Sequence, residues 1–261
     1  MIAVVAAGCF VFGLVIGSFL NVVVYRVPEG VSIVTPRSRC RNCGHELSAL
    51  DNVPVLSWLV LRGKCRSCGD PISPRYPLVE LGTALVFAAL GAKFGADVAL
   101  PAFLWFAAGM IALSLIDLDT FKLPKKVVYP TLFGTAVLLA VAGLVDADWL
   151  GLREAAIGGI IGFVVLYAIR FAYPRGMGFG DVRLAGVIGV ALGWLHLGLV
   201  PVGLFFGFVL ASVVGVGLIA AGIKTRKDRV PFGPFLVAGA LLAIFVGQPL
   251  VDAYVELYLG R

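Results

Sequence analysis

An all-α polytopic membrane protein, with about eight transmembrane helices and one small cysteine-bearing loop domain, is the architecture these residues indicate. The composition is the first reason. Of 261 residues, 60% are hydrophobic and 14% charged, and the mean hydropathy is +1.01. Soluble domains run at about 45–50% apolar and about 25% charged, so a soluble globular fold is excluded. The second reason is the length of the apolar runs, which approach or reach the roughly 20 residues that cross a bilayer. The third is that the one long polar stretch holds four of the five cysteines, in two Cys-x-x-Cys pairs. The 33 glycines suit helices that pack closely in lipid. A net charge of +6 does not point to nucleic acid, because the placement of the basic residues along the chain matters more than their sum.

The first apolar segment, 2–24, has no Lys or Arg before Arg26 and is longer than the apolar region of a signal peptide. It is expected to be an uncleaved helix with its N-terminus outside. Ala6-Ala7-Gly8-Cys9 faintly resembles a lipoprotein cleavage box, but too little chain precedes it, and Cys9 reads as a small packed residue. A polar loop, 25–76, follows. The remaining candidate spans are 77–93, 98–116, 127–145, 155–173, 183–198, 200–223 and 232–250. The boundary between the sixth and seventh is soft, at Pro201 or at the turn around His196. No internal repeat or low-complexity tract is present.

Charge sets the expected topology. With the N-terminus outside and each candidate crossing once, Arg26, Arg37, Arg39, Arg41, Arg62, Lys64, Arg66 and Arg75 fall in the first inner loop. Lys122, Lys125 and Lys126 fall in the second. Arg170, Arg175 and Arg183 border the third, and Lys224, Arg226, Lys227 and Arg229 fill the fourth. Only Lys93, Arg153 and Arg261 of the 21 basic residues are left outside, a strong positive-inside pattern. The loop 25–76 is therefore expected to be cytoplasmic.

Within that loop stand Cys40-Arg-Asn-Cys43 and Cys65-Arg-Ser-Cys68. Two such knuckles at this separation read as a four-thiolate zinc site, each giving two sulfurs to one tetrahedral metal. Gly44 and Gly69 follow the second cysteine of each, where a tight turn needs positive φ. Four thiolates leave no open coordination position, so the zinc would be structural and would fold a loop too small to build its own core. The competing readings are a redox dithiol pair or unliganded cysteines. His45 is read as a surface residue rather than a ligand.

Two acids stand at the edges of apolar segments. Asp117 closes the run before the second inner loop, and Asp181 closes the glycine-rich turn Gly176 to Asp181. An acid at a membrane edge is a functional hypothesis. Both are expected at the cytoplasmic face at similar depth, and they meet if the third and sixth helices pack together. Two carboxylates in one site share a proton. The ionised member takes a proton from water while the protonated one polarises a peptide carbonyl, which is hydrolysis without a covalent intermediate. The competing reading of each acid is a helix cap. Asp119 is a minor alternative to Asp117, and Glu80 suits the positive end of its own helix.

Several stretches carry a family resemblance. Gly178-Phe179-Gly180-Asp181 resembles the Gly-x-Gly-Asp motif of intramembrane aspartic peptidases. The run from Gly17 to Arg26, the two cysteine knuckles, Arg75-Tyr76-Pro77-Leu78-Val79-Glu80, Ile116-Asp117-Leu118-Asp119, Leu123-Pro124 and Pro231-Phe232-Gly233-Pro234 narrow the match to bacterial type IV prepilin peptidases. The resemblance implies a multi-pass protein of the bacterial inner membrane. Its catalytic pair would be Asp117 and Asp181, cutting the basic leader from type IV prepilins and type II secretion pseudopilins after a glycine, on the cytoplasmic side. It further implies methylation of the new N-terminus with S-adenosylmethionine as donor. The organisation expected is a first helix at 1–24, a zinc-binding loop domain at 25–76 and a multi-helix peptidase domain at 77–261. The chain departs from many relatives at Lys125, where they carry Asp, and at Arg183, where they carry Lys. No glycine-rich nucleotide fingerprint follows a strand, so the methyl donor rests on the resemblance alone. Two other classes compete: a proton-coupled transporter using the same acids, which the lack of repeats or paired broken segments disfavours, and a zinc-binding scaffold without catalysis.

Overall fold

In the computed structural model the described residues are 1–174, 176–225 and 228–259. Arg175, Arg226, Lys227 and Arg261, all counted in the charge pattern, lie outside them. The described residues form helices and loops, with only two isolated β-bridges. They divide into two compact units, Met1–Leu100 and Pro101–Arg261.

The first unit holds α1 (Ile2–Arg26), a short 3-10 turn (Leu50–Asn52), α2 (Leu56–Val60) and α3 (Arg75–Phe94). In lipid there is little hydrophobic drive between helices, so close backbone approach through small residues holds them together. On α1, a Cβ added at Gly17 would stand 2.7 Å from the Glu80 Cα of α3. Near the other end, a Cβ at Gly91 would stand 2.8 Å from Cys9 Sγ, so Cys9 is packed between the two helices. Glu80 does more than sit in the first turns of α3. It is buried, accepts the Val55 N–H at 2.7 Å and accepts from the Ser18 hydroxyl.

The second unit contains α4 (Leu100–Thr120), α5 (Lys125–Val145), α6 (Trp149–Ala172), α7 (Phe179–Leu195), α8 (Leu199–Ala220), α9 (Gly233–Val246) and α10 (Gln248–Leu259). At its centre is α7, which touches α5, α6, α8 and α9. Val182, Leu184, Ala185, Val187, Ile188, Ala191 and Leu192 are all fully buried, as befits a helix apolar on every side. The tightest pairing is α6 with α7: a Cβ at Gly189 would collide with the Gly158 carbonyl, and one at Gly158 with that of Gly189. The backbones themselves are in contact there, and no larger residue fits.

All eight apolar segments form helices, but not all are long enough to cross a bilayer alone. Among the described residues six helices are long and apolar enough, or up to seven if α9 and α10 count as one span bent by 73°. With 17 residues, α7 is about 26 Å long, short of a hydrocarbon core of about 30 Å. Gly247 followed by Gln248-Pro249 breaks α9 from α10, because proline belongs in a helix's first turn and not in its interior. The soft boundary in the sequence resolves at His196–Gly198, where His196 is extended and its Nδ1 accepts the Gly198 N–H at 3.0 Å.

Candidate active site

Asp117 lies in the last turn of α4 and is 5% exposed. The helix stops just beyond it. Phe121 takes a left-handed conformation (φ 55°) while its N–H still bonds the Asp117 carbonyl at 2.9 Å, so the chain turns back towards α5. The side chain reaches across to α9, where its Oδ2 accepts the Gly233 N–H at 3.0 Å. The first N–H groups of a helix lack partners within it and carry its positive end, so an acid fits there. Only glycine fits opposite it: a Cβ at Gly233 would stand 2.8 Å from that same oxygen.

Asp181 lies in the first turn of α7 and is 8% exposed. Its Oδ2 accepts the Gly178 N–H at 3.0 Å, which closes the glycine turn on itself. A Cβ at Gly180 would stand 2.9 Å from the Leu123 Cβ, so this glycine lets the α4–α5 elbow approach the motif. Between the two glycines, Phe179 anchors the turn. Its ring lies edge-on to Phe163 and Tyr167 of α6, at 6.2 and 6.4 Å between centroids. The guanidinium groups of Arg183 and Arg170 stand 4.6 and 5.3 Å from its centroid. Attraction of cations to the ring face thus helps hold the segment that presents Asp181.

Both acids line one open cleft of about 410 Å³. They are near enough for the charge of Asp117 to act on Asp181. Leu123, Gly178 and Gly180 form part of its wall, and Lys122, Lys125 and Arg183 bring three cations to it. Asp119 is exposed and does not line the cleft. The arrangement has the elements of water-mediated hydrolysis: two carboxylates lining one open cleft, each with an oxygen fixed by a backbone N–H.

In the first unit, the four cysteines converge. The sulfurs of Cys40, Cys43, Cys65 and Cys68 lie within 4.8 Å of one another, with Cys40 and Cys68 3.8 Å apart. A tetrahedral zinc with thiolates at about 2.3 Å places its sulfurs about 3.8 Å apart, so the cluster fits the metal. The two knuckles are built alike. Gly44 N–H bonds the Cys40 carbonyl and Gly69 N–H that of Cys65, both glycines with φ above 70°. Cys40 N–H bonds the His45 carbonyl, as Cys65 N–H bonds that of Asp70. Backbone N–H groups of Cys43 and Asn42 draw the Cys40 thiol down to about 7, while desolvation and the neighbouring sulfurs push Cys68 up to about 12, so it is the metal that would hold all four as thiolates. His45 is exposed and does not belong to the cluster.

Both units match known protein families. Residues 11–94 match the model of the bacterial peptidase A24 N-terminal domain, and residues 104–220 that of the type IV leader peptidase family. A prepilin leader peptidase/N-methyltransferase of Aeromonas hydrophila is 36% identical over 96% of this chain and 93% of its own length. The chain belongs to the prepilin leader peptidase family. Other relatives bearing the same name come from Burkholderia pseudomallei (strain K96243), 37% identical over 93% of this chain and 86% of the relative, and Bacillus subtilis (strain 168), 33% identical over 96% and 98%. No solved structure gives a significant match.

For a member of this family, two features of the site were not legible in the sequence and a third only faintly so. The Gly233 N–H that holds Asp117 lies 116 residues away, and a backbone donor leaves no mark on residue type. The packing of Leu123 against Gly180 is tertiary for the same reason. The aromatic and cationic cluster on Phe179 had a faint signal, since Phe163, Tyr167 and Arg170 recur at three- and four-residue spacing on one face of α6.

Proposed function

We propose that this chain is an intramembrane aspartic endopeptidase. It removes the basic leader from type IV prepilins and type II secretion pseudopilins after a glycine, on the cytoplasmic side of the bacterial inner membrane, with Asp117 and Asp181 as the catalytic pair. The observation that carries the reading is the shared cleft. Two nearly buried acids from different helices line it, each with Oδ2 fixed by a backbone N–H. A pair so placed holds one proton between them. The ionised acid takes a proton from a water set between the carboxylates as that water adds to the scissile carbonyl. The protonated acid gives its proton to the carbonyl oxygen, and proton return to the departing amine completes hydrolysis. Fixed oxygens limit the reorganisation this requires.

All eight apolar segments cross the membrane in this reading, with α7 and α9 reaching across as parts of a bundle rather than alone. The loop 25–76 binds one structural zinc through Cys40, Cys43, Cys65 and Cys68, and 77–261 forms the peptidase. Zinc's contribution there is folding energy, since all four positions are taken by protein ligands. Methylation of the new N-terminus by S-adenosylmethionine is the second activity in the relatives' name, and it is proposed on that kinship alone.

The test is incubation of purified protein with a prepilin, with and without labelled S-adenosylmethionine. Leader loss reports cleavage, and label transfer reports methylation. Asp117→Asn and Asp181→Asn should each abolish cleavage while the protein stays folded in the membrane. Full cleavage by either variant removes the catalytic assignment.

A further inference from the structure

The loop between α1 and α3 carries an apolar surface that its own fold leaves uncovered. Leu56, Leu59 and Val60 occupy one face of α2 at helical spacing and are 60%, 56% and 77% exposed. The opposite side is tied down. Trp58 Nε1–H donates to the Ile72 carbonyl at 3.0 Å, and its ring lies where a Cβ at Gly63 would stand 2.9 Å away. Three large aliphatic side chains on a five-residue helix, all facing outward, have no internal explanation.

Their depth is fixed by a hydrogen bond. Val55, immediately before α2, adopts φ 62°, a costly conformation for a β-branched residue. Its N–H donates to Glu80 Oε2 at 2.7 Å. Glu80 lies inside α3, one turn beyond Tyr76. Tyr76 and Tyr25 mark the ends of the two helices: Arg41 bonds the Tyr76 hydroxyl at 3.1 Å and lies 4.0 Å over the Tyr25 ring. Tyrosines and arginines at helix ends define headgroup level. The Glu80 carboxylate that holds Val55 also accepts from the Ser18 hydroxyl, seven residues before Tyr25 on α1 and about 10 Å along that helix, so α2 begins inside that level. Interfacial helices bury their apolar faces about 5–10 Å into the headgroup and acyl boundary. Directly after α2, the exposed Arg62 and Lys64 place two cations where anionic headgroups would meet them.

We propose that α2 is an interfacial helix: Leu56, Leu59 and Val60 insert among the lipids beside α1 and α3, and Arg62 and Lys64 engage anionic headgroups. The loop is then docked on the bilayer, with Glu80 as the anchor that sets its depth. The occupant is lipid and not a second copy of the chain, because the strained, pinned start of α2 holds its free face at the level of the acyl boundary.

Photo-crosslinking tests this on the full chain in nanodiscs of phosphatidylethanolamine and phosphatidylglycerol. p-Benzoylphenylalanine replaces Leu59, Val60, Trp58 or Leu85 in separate variants, with unchanged zinc content as the check on folding. Leu85, exposed on α3, serves as the lipid-facing reference. Illumination should add the mass of one phospholipid at 59 and 60 with a yield comparable to 85, and at least tenfold above 58, whose side chain faces the loop. Adducts to a second copy at 59 and 60, or no lipid adduct there while 85 gives one, would overturn the proposal.

Discussion

Gly233 is the residue on which Asp117 most directly depends. Its N–H holds Oδ2 at 3.0 Å, and its missing side chain makes the room. Gly233→Ala forces the carboxylate aside while the rest of α9 keeps its helix. Misplacing a reacting group by about 1 Å costs on the order of 100-fold, so this variant should lose about that much kcat with little change in KM. Steady-state kinetics on a prepilin would show it, and an unchanged kcat would mean the Gly233 bond does not orient Asp117. The other acid offers a paired test. Gly180→Ala brings a methyl within 2.9 Å of the Leu123 Cβ and 3.2 Å of its Cδ1. Removing that side chain in Gly180→Ala/Leu123→Gly should recover activity over Gly180→Ala alone, a coupling expected only between residues in contact. If the double variant is no better than the single one, Leu123 is not what Gly180 accommodates. Both acids were legible in the sequence because charge at an apolar edge is costly. Their supports were not, because a backbone N–H and a van der Waals contact depend on the path of the chain.

The long helices were legible too, since a run of apolar residues needs no tertiary information to be read. Shorter elements were not. At five residues, α2 lies within a stretch read as polar, and its exposed Leu56, Leu59 and Val60 fall below any length at which a span would be sought. Glu80 could be assigned to its own helix's dipole, but its bond to Val55 required the loop to fold back. The cysteine knuckles sit at the opposite extreme: spacing alone proposed a cluster, and the four sulfurs do converge. Their chemistry gives an element-scale prediction. Within the cluster Cys40 is drawn down to about 7 while desolvation and the neighbouring sulfurs push Cys68 up to about 12, so the four thiols do not lose their protons together without a metal. Protons compete with metal for each thiolate. Zinc should therefore be retained at about pH 8 and released progressively as pH falls from about 7 towards about 4. A chelating dye would follow the release, and Cys40→Ser/Cys65→Ser should bind no zinc throughout. Zinc content unchanged in that double variant would remove both residues from the ligand set.

At the scale of the whole molecule, the number of crossings decides where each loop lies. Among the described residues six helices are long enough to span alone, whereas the topology proposed from the charge pattern has eight passes. If α7 turned back instead of crossing, the segments 174–178 and 196–198 would share a side. With α8 then crossing outward, Lys224 and Arg229 would move outside, against the bias that retains basic loops in the cytoplasm. Burial offers α7 a way to cross despite its length. α7 packs against α5, α6, α8 and α9, and a segment surrounded by protein need not span the hydrocarbon as regular helix from end to end. Alkaline phosphatase, active only outside the cytoplasm, reads this out when fused after chosen residues. Fusions after Asp97, Ala147, Leu197 and Leu259 should be active, and those after Lys64, Lys122, Pro174 and Thr225 inactive. The pair at Pro174 and Leu197 tests α7, and the pair at Thr225 and Leu259 tests α9 with α10. Equal activity within the first pair would make α7 a re-entrant element; Asp181, at its start, would then remain beside Asp117 while every later loop changed sides.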